Sequence, residues 1–341
     1  MRRQSGMCAA EGSIVPHTSD RSRRNQRTSI TGEPPSLAER GLPLRGRAVR
    51  TCAAVTTLQS VLLQCFAYPR PDHPWDPQPG RRFPGLFNLY GSWVSPQPDM
   101  IVMGSTVSHR FCSYLLPWVH PDGAEAPFDP RCRGIPGLRL ADCHRWGYEL
   151  LHLPTGAVVQ VRDSDNRTYA VRERVRALES EMNALRRRKP DMREAWNEPA
   201  MTAVELRWSP AWVPTTYTAA ASTLFSVLSL FLVNPDVSWQ SSRATYKELG
   251  SEHLHFSEAR PEAPAVFAWC HGIAPARVLH HLRALRLDHQ VQLGEVQENF
   301  AALTIGGGRL DLHRRSSCIE CGPGSAFRPA PVSRDRQRSA V

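Results

Sequence analysis

Lysine is almost missing from this 341-residue chain: Lys189 and Lys247 stand against 40 arginines. Electrostatics does not require that ratio, and GC-rich coding accounts for it; the net charge of +10 stands regardless. Guanidinium groups suit phosphate, but no compact basic cluster with interleaved aromatics is present. The nearest is Arg186-Arg187-Arg188-Lys189, so nucleic acid is not expected as a partner. The first 30 residues lack an apolar core, which excludes a secretory signal. No repeat at solenoid periods is visible. Gly306-Gly307-Gly308 lacks the Lys-Ser or Lys-Thr of a phosphate loop, and no Ser-His-Asp or Cys-His arrangement stands out. The chain therefore reads as non-enzymatic, with no cofactor and no small-molecule substrate.

Nine cysteines at irregular spacing make no secreted disulfide framework. Cys318 and Cys321 form a CxxC pair that could supply half of a tetrahedral zinc site. The second pair is missing, and Gly322-Pro323 argues against the helix start a redox pair needs. They read as an exposed thiol pair, the weak metal candidates of the chain. His280, His281 and His289 fall on a predicted helix as surface histidines.

What is present is a long uncharged run, with no formal charge between Arg207 and Asp236. Residues 211–233, as a helix, would measure roughly 34 Å, enough for a hydrocarbon core of about 30 Å. Trp208 and Trp212 flank one end and Trp239 the other, an aromatic belt at both interfaces. Pro235 disfavours helix at Asn234, and Asp236 marks the return to water. Ser222 and Ser226 form a small-xxx-small pair that admits a close neighbouring helix. Interleaved Ser and Thr leave the span marginal alone, and the alternative is a buried helix of a soluble domain. Residues 51–69 are a second uncharged run, interrupted by Thr and Gln.

Pro210, Pro214, the apolar run, Asn234-Pro235-Asp236-Val237, Trp239, Lys247, Leu249, Gly250 and Phe256 together resemble the MLRQ-subunit family of the mitochondrial respiratory chain. These are small single-pass polypeptides once assigned to NADH dehydrogenase, complex I, and later to cytochrome c oxidase, complex IV. The resemblance covers about residues 207–256. It implies a non-catalytic accessory subunit of the inner mitochondrial membrane that supports assembly or stability of cytochrome c oxidase and holds neither haem nor copper. Its partners would be other respiratory-complex subunits and the lipid bilayer. Pro210, Pro214, Asn234, Pro235, Asp236 and Trp239 would fix where the helix enters and leaves, and Ser222 with Ser226 would face a partner helix. Positive charge before the span predicts the amino-terminal side in the matrix. The rival reading is a soluble basic organellar protein that binds RNA or another polyanion, with the apolar stretch buried in its fold.

The expected fold class is mainly α: a single-pass transmembrane helix with irregular or disordered flanks and short amphipathic helices. Residues 1–50, with ten arginines and no lysine, resemble a transit segment, plain disorder being the alternative. Residues 51–150 are Pro- and aromatic-rich and read as irregular. Residues 151–206 hold a small hairpin, formed by 156–161 and 168–171, and an amphipathic helix. That helix is marked by Val171, Val175, Leu178, Met182 and Leu185 and is ended by Pro190. After the span at 207–256, residues 257–303 predict one or two helices from Pro275, and residues 304–341 a disordered tail.

Overall fold

The computed structural model describes residues 20–40, 52–67, 91–120, 132–165, 167–188, 190–208, 217–231, 237–240, 245–246, 256–257, 265–269, 273–285 and 291–314. Helices α1 (Asp20–Thr31) and α2 (Pro35–Arg40) open it, followed by α3 (Ala53–Ala67). Strands β1 (Gly91–Pro96) and β2 (Met100–Ser105) form a hairpin, and α4 (Ser108–Leu115) follows. After the short strands β3 (Trp118–Val119) and β4 (Cys132–Arg133) comes a meander of β5 (Leu138–His144), β6 (Gly147–His152) and β7 (Ala157–Asp163). The sheet order is β1-β2-β7-β6-β5, with only β2 and β7 parallel. Helix α5 (Val171–Arg188), strand β8 (Arg193–Glu194) and helix α6 (Ala203–Trp208) follow, and β8 joins β3 and β4 in a small sheet.

The same plan then repeats. Helix α7 (Thr218–Phe225) and a 3-10 turn (Leu228–Phe231) precede β9 (Val237–Gln240). The short ladder β10 (Thr245–Tyr246) with β11 (Phe256–Ser257) stands between β9 and its partner β12 (Ala265–Trp269). Helix α8 (Pro275–Ala284) leads to a second meander, β13 (Val291–Val296), β14 (Phe300–Ile305) and β15 (Gly308–Arg314). The order β13-β14-β15-β12-β9, again with one parallel pair, β12 with β15, is the first sheet's order read from its other edge. Registers agree in detail. In the first half Leu140 faces Leu150 and Cys143 faces Tyr148, with a slip after Leu140; in the second Leu293 faces Leu303 and Val296 faces Ala301, with a slip after Leu293. Both halves are thus helix, antiparallel pair, helix and meander.

The two halves share one core. Helix α3 packs on α7, and the pair lies between the sheets, α3 reaching β2, β7 and β9 and α7 reaching β14 and β15. Phe66 of α3 stacks on Phe111 of α4 at 5.6 Å and on Phe225 of α7 at 6.2 Å. Phe231 meets Phe267 and Trp269 edge-on at 5.0 and 5.1 Å.

The membrane-spanning reading is overturned by this packing. Among the described residues no helix is long and apolar enough to cross a membrane. Helix α7 has eight residues, about 12 Å of helix against a core of about 30 Å. Its Ala220, Ala221, Leu224 and Phe225 are buried in protein. The Ser and Thr residues find partners in protein: Thr223 donates to the Ala219 carbonyl at 2.7 Å one turn back, and Ser229 Oγ accepts the N–H of Val94 in β1 at 3.2 Å. The placement in the inner mitochondrial membrane, the matrix orientation and the transmembrane assignment fall with the span. The uncharged run found the other uncharged run, α3, rather than lipid.

The mainly α class is corrected too, since two five-stranded sheets organise the chain. Within 51–150, read as irregular, lie α3, β1, β2, α4 and most of the first meander. Strand β7 pairs with β6 upstream rather than with residues 168–171. Only the first part of 257–303 that was read as helix is helical, as α8; β13 and β14 follow. Part of the stretch read as a leader is built into the fold. Arg27 and Glu33, both buried, pair at 2.5 Å, Glu33 also accepts from Thr31 at 3.0 Å and from Ser95 of β1, and Gln97 donates to the Leu37 carbonyl at 3.0 Å. This network ties α1 and α2 to the first hairpin.

Gly104 of β2 shows how closely the outer face of the first sheet is packed. A Cβ there would sit 2.1 Å from the indole of Trp93, so only hydrogen fits. Burial of Phe225 between the halves yields a direct expectation: Phe225→Ala should lower unfolding free energy by about 3–5 kcal/mol. Denaturant midpoints of the purified chain check it, and an unchanged midpoint would place Phe225 outside the core.

Candidate functional site

Helix α5 frames the site. Leu178, Met182 and Leu185 recur at spacings of four and three, and all three are buried. Glu173 accepts the Ala170 N–H at 3.2 Å near the start, and Arg186, Arg187 and Arg188 suit the negative end of the helix. Buried Arg174 anchors the helix: its guanidinium donates to Asp163 at 2.7 Å and to the Arg145 carbonyl at 2.8 Å, and stacks over Tyr169 at 5.0 Å. Tyr148 donates to the Arg174 carbonyl at 2.8 Å. Alongside, Arg110 of α4 pairs with Glu181 of α5 at 2.8 Å.

Between α5, β5 and the β8 segment lies a cavity of about 370 Å³, within the range of small-molecule sites. Leu140, Leu178, Met182 and the Trp196 ring give it apolar walls, and Glu179, Asn183, Arg186 and Glu194 a polar rim. Arg186 is held by Asn183 at 2.7 Å and by Glu194 at 2.6 Å. The Trp196 indole N–H is buried and has no hydrogen-bond acceptor among the described residues.

Burial sets the titration of Cys143 in the lining and of several groups behind it. Burial pushes the Cys143 thiol up, with the Asp142 charge adding to it and Arg174 opposing, so the thiolate is scarce. Cys112 is raised further by complete burial. Burial also lifts the Tyr148 phenol well above its ordinary range. His109 is lowered by burial, with Glu181 pulling the other way. Among the described residues no group of three or more His, Cys, Asp or Glu is arranged to hold a metal ion.

A buried clamp holds the β5 wall. Arg139 meets Glu205 of α6 through two parallel bonds of 2.8 and 3.0 Å and donates to the carbonyls of Glu198 and Ala200, each at 2.7 Å. Glu205 also accepts the N–H groups of Gly137 at 2.7 Å and Thr202 at 2.8 Å, and its own N–H donates to Thr202 Oγ1 at 3.2 Å, a reciprocal cap on α6. Burial pushes the Glu205 carboxyl up, but the bonds from Arg139, Thr202 and Gly137 outweigh it and hold it below its usual value.

The residues singled out from sequence lie elsewhere. Ser222 donates to Gln59 of α3, and Ser226 to the Ser222 carbonyl at 3.2 Å. Neither serine lines the cavity. Val237 and Trp239 sit in β9, where Trp239 pairs with Phe267 of β12. Pro210, Pro214, Asn234, Pro235, Asp236, Leu249, Gly250, Cys318 and Cys321 lie outside the described residues. The periodicity that marked α5 did point to one wall of the cavity, but nothing local tied it to Leu140, Glu194 or Trp196.

No family model matches the chain, and neither a curated protein nor a solved structure matches it. The likeness to respiratory-chain subunits therefore rests on its motif residues alone.

His152, at the end of β6 and close to the clamp, carries a pH expectation. Burial, aided by the Arg139 charge and opposed by a bond to the Pro136 carbonyl, lowers it from 6.5 to about 4. Between those values the unfolded chain binds a proton that the folded chain does not. Stability from this group is complete above pH 6.5 and is lost as pH falls towards 4, by on the order of 2–3 kcal/mol. His152→Gln should flatten that slope when urea midpoints at pH 7 and pH 4.5 are compared.

Proposed function

We propose that the chain is a non-catalytic binding protein, a duplicated α/β scaffold whose cleft beneath α5 receives a small organic ligand. The observation that carries this reading is the cavity of about 370 Å³ walled in part by Trp196, whose buried N–H has no acceptor among the described residues. A buried donor left unpaired costs about 1–3 kcal/mol, and a ligand oxygen that meets the N–H as the Trp196 ring turns towards the cavity removes that penalty. Glu179 and Glu194 on the rim disfavour an anion, and Arg186 is already neutralised by Glu194. The preferred ligand is thus largely apolar with one neutral acceptor, such as an aryl ketone or amide. Membership of a respiratory complex, as the motif resemblance implies, would on this fold depend on protein contacts rather than on a span.

Indole N–H resonances report this directly, with Trp196→Phe identifying the signal. Acetophenone at millimolar concentration should move the Trp196 resonance more than benzoate does. If saturating acetophenone leaves that resonance in place, the cleft is not a ligand site of this kind.

A second reading, binding of RNA or another polyanion, draws on exposed Arg187, Arg188 and Arg193 at one end of α5. The helix dipole accounts for arginines there without a ligand, which ranks this reading second. A single-stranded RNA oligomer held this way should lose affinity steeply with salt, log affinity falling by about 0.7 per phosphate contact and per decade of salt. Arg187→Glu with Arg188→Glu should abolish the binding; salt-independent retention would dismiss it.

A further inference from the structure

The outer face of the first sheet, opposite the core and the cleft, holds a second group of side chains in want of partners. Residues paired across a ladder share a face, so Gly104 of β2, Arg162 of β7 and Gly147 of β6 lie side by side there. Gln160, two residues from Arg162, shares that face with its own partner Glu149. With glycine on either side, Arg162 has no neighbouring side chain across the ladder, and the Trp93 indole lies over Gly104 instead. The Arg162 guanidinium stacks over the Trp146 ring at 4.7 Å, and His144 stacks on that ring at 4.5 Å.

Arg162 bonds a neutral acceptor only. Its Nη2 donates to Gln160 Oε1 at 2.7 Å, and Gln160 donates onward to Glu149 at 3.2 Å. The carboxylates of Glu149 and Asp142 turn instead to His144, at 3.8 and 3.5 Å. Nε of Arg162 is buried without an acceptor, and the residue makes no ion pair among the described residues. Nη1 is neither bonded nor enclosed.

A second guanidinium approaches from α2. Leu37 packs with Trp93 and Val102, and Val102 lies two residues before Gly104 on the same face of β2. Arg40, one turn beyond Leu37, is exposed and also has no ion pair among the described residues. Its charge reaches Arg162: burial, and then the Arg40 charge, push the Arg162 guanidinium below its ordinary value, and no carboxylate offsets them. Two like charges thus stand near each other over one face of the sheet without a counter-charge.

We infer that Arg40 and Arg162 form a binding site for a phosphate monoester, whose dianion meets Nη1 of Arg162 and the Arg40 guanidinium together. A carboxylate would neutralise one guanidinium and leave the other, whereas a phosphoryl dianion has charge for both and three oxygens to accept from them. The Trp146 ring is already stacked with Arg162 and His144, so charge and hydrogen bonding, rather than ring stacking, select the ligand. This site lies on the other face of the sheet from the cleft beneath α5 and does not rest on the reading given to that cleft.

The probe is methyl phosphate, titrated into the full chain at pH 8 and low chloride, where the ester is a dianion. The indole N–H resonance of Trp146, identified with Trp146→Phe, should shift and saturate. Arg162→Gln and Arg40→Gln should each weaken binding about tenfold or more, and Arg187→Gln, an exposed arginine outside the pair, should leave it unchanged. Acetate at equal ionic strength should give no saturable shift. Arg40 is exposed, so its variant keeps the fold, which circular dichroism checks, and it tests the site independently of the half-buried Arg162. The inference is wrong if methyl phosphate gives no saturable shift, if acetate binds as tightly, or if Arg40→Gln binds as tightly as the parent.

Discussion

The packing of α3 on α7 is the contact on which the rest of the molecule depends. Each helix is uncharged along its length, each belongs to a different half, and each needs the other to leave water. With the pair in place, both sheets have something apolar to face, and Phe66 can bridge α4, α3 and α7. The bond from Ser222 to Gln59 sets a polar point inside that apolar contact. A buried polar pair tolerates little sliding, because displaced groups would be left without partners. It thereby fixes how one half is aligned with the other.

Local patterns in the sequence were readable where a single element sufficed. The spacing of Val171, Val175, Leu178, Met182 and Leu185 marked α5, and Pro275 marked the start of α8. Elements that depend on distant partners were not readable. Strand β2 lies parallel to β7, more than fifty residues away, and residues 168–171 looked as fit to pair with β7 as β6 does. In 211–233 the avoidance of water was legible, but its destination was not, because a bilayer and a layer between two sheets exclude water alike. The duplication is not legible in the sequence because register is repeated while residues are not: Phe111, Cys112 and Leu115 correspond to Val278, Leu279 and Leu282. The cavity was hidden for a related reason, since Leu140, Glu194 and Trp196 meet only in the folded chain.

The first half closes over itself and the second does not. Arg174 and Tyr148 hold α5 down on one side and Arg110 on the other, and the space left beneath it is the cavity. The corresponding side of the second sheet ends in solvent at Leu293 and Val296. One topology thus presents two kinds of edge: a half-open pocket roofed by a helix of the same chain, and a strand with two exposed aliphatic residues.

The hairpins of the two halves are joined very differently. Three residues connect β1 to β2, whereas the connection from β9 to β12 is long enough to hold β10 and β11. The strands on either side keep the same pairing in spite of this. Chain length at that tip is therefore uncoupled from the architecture beneath it. A change of length there would leave the strand pairing intact, whereas a change of size in either helix wedged between the sheets would open a gap or a clash against the other.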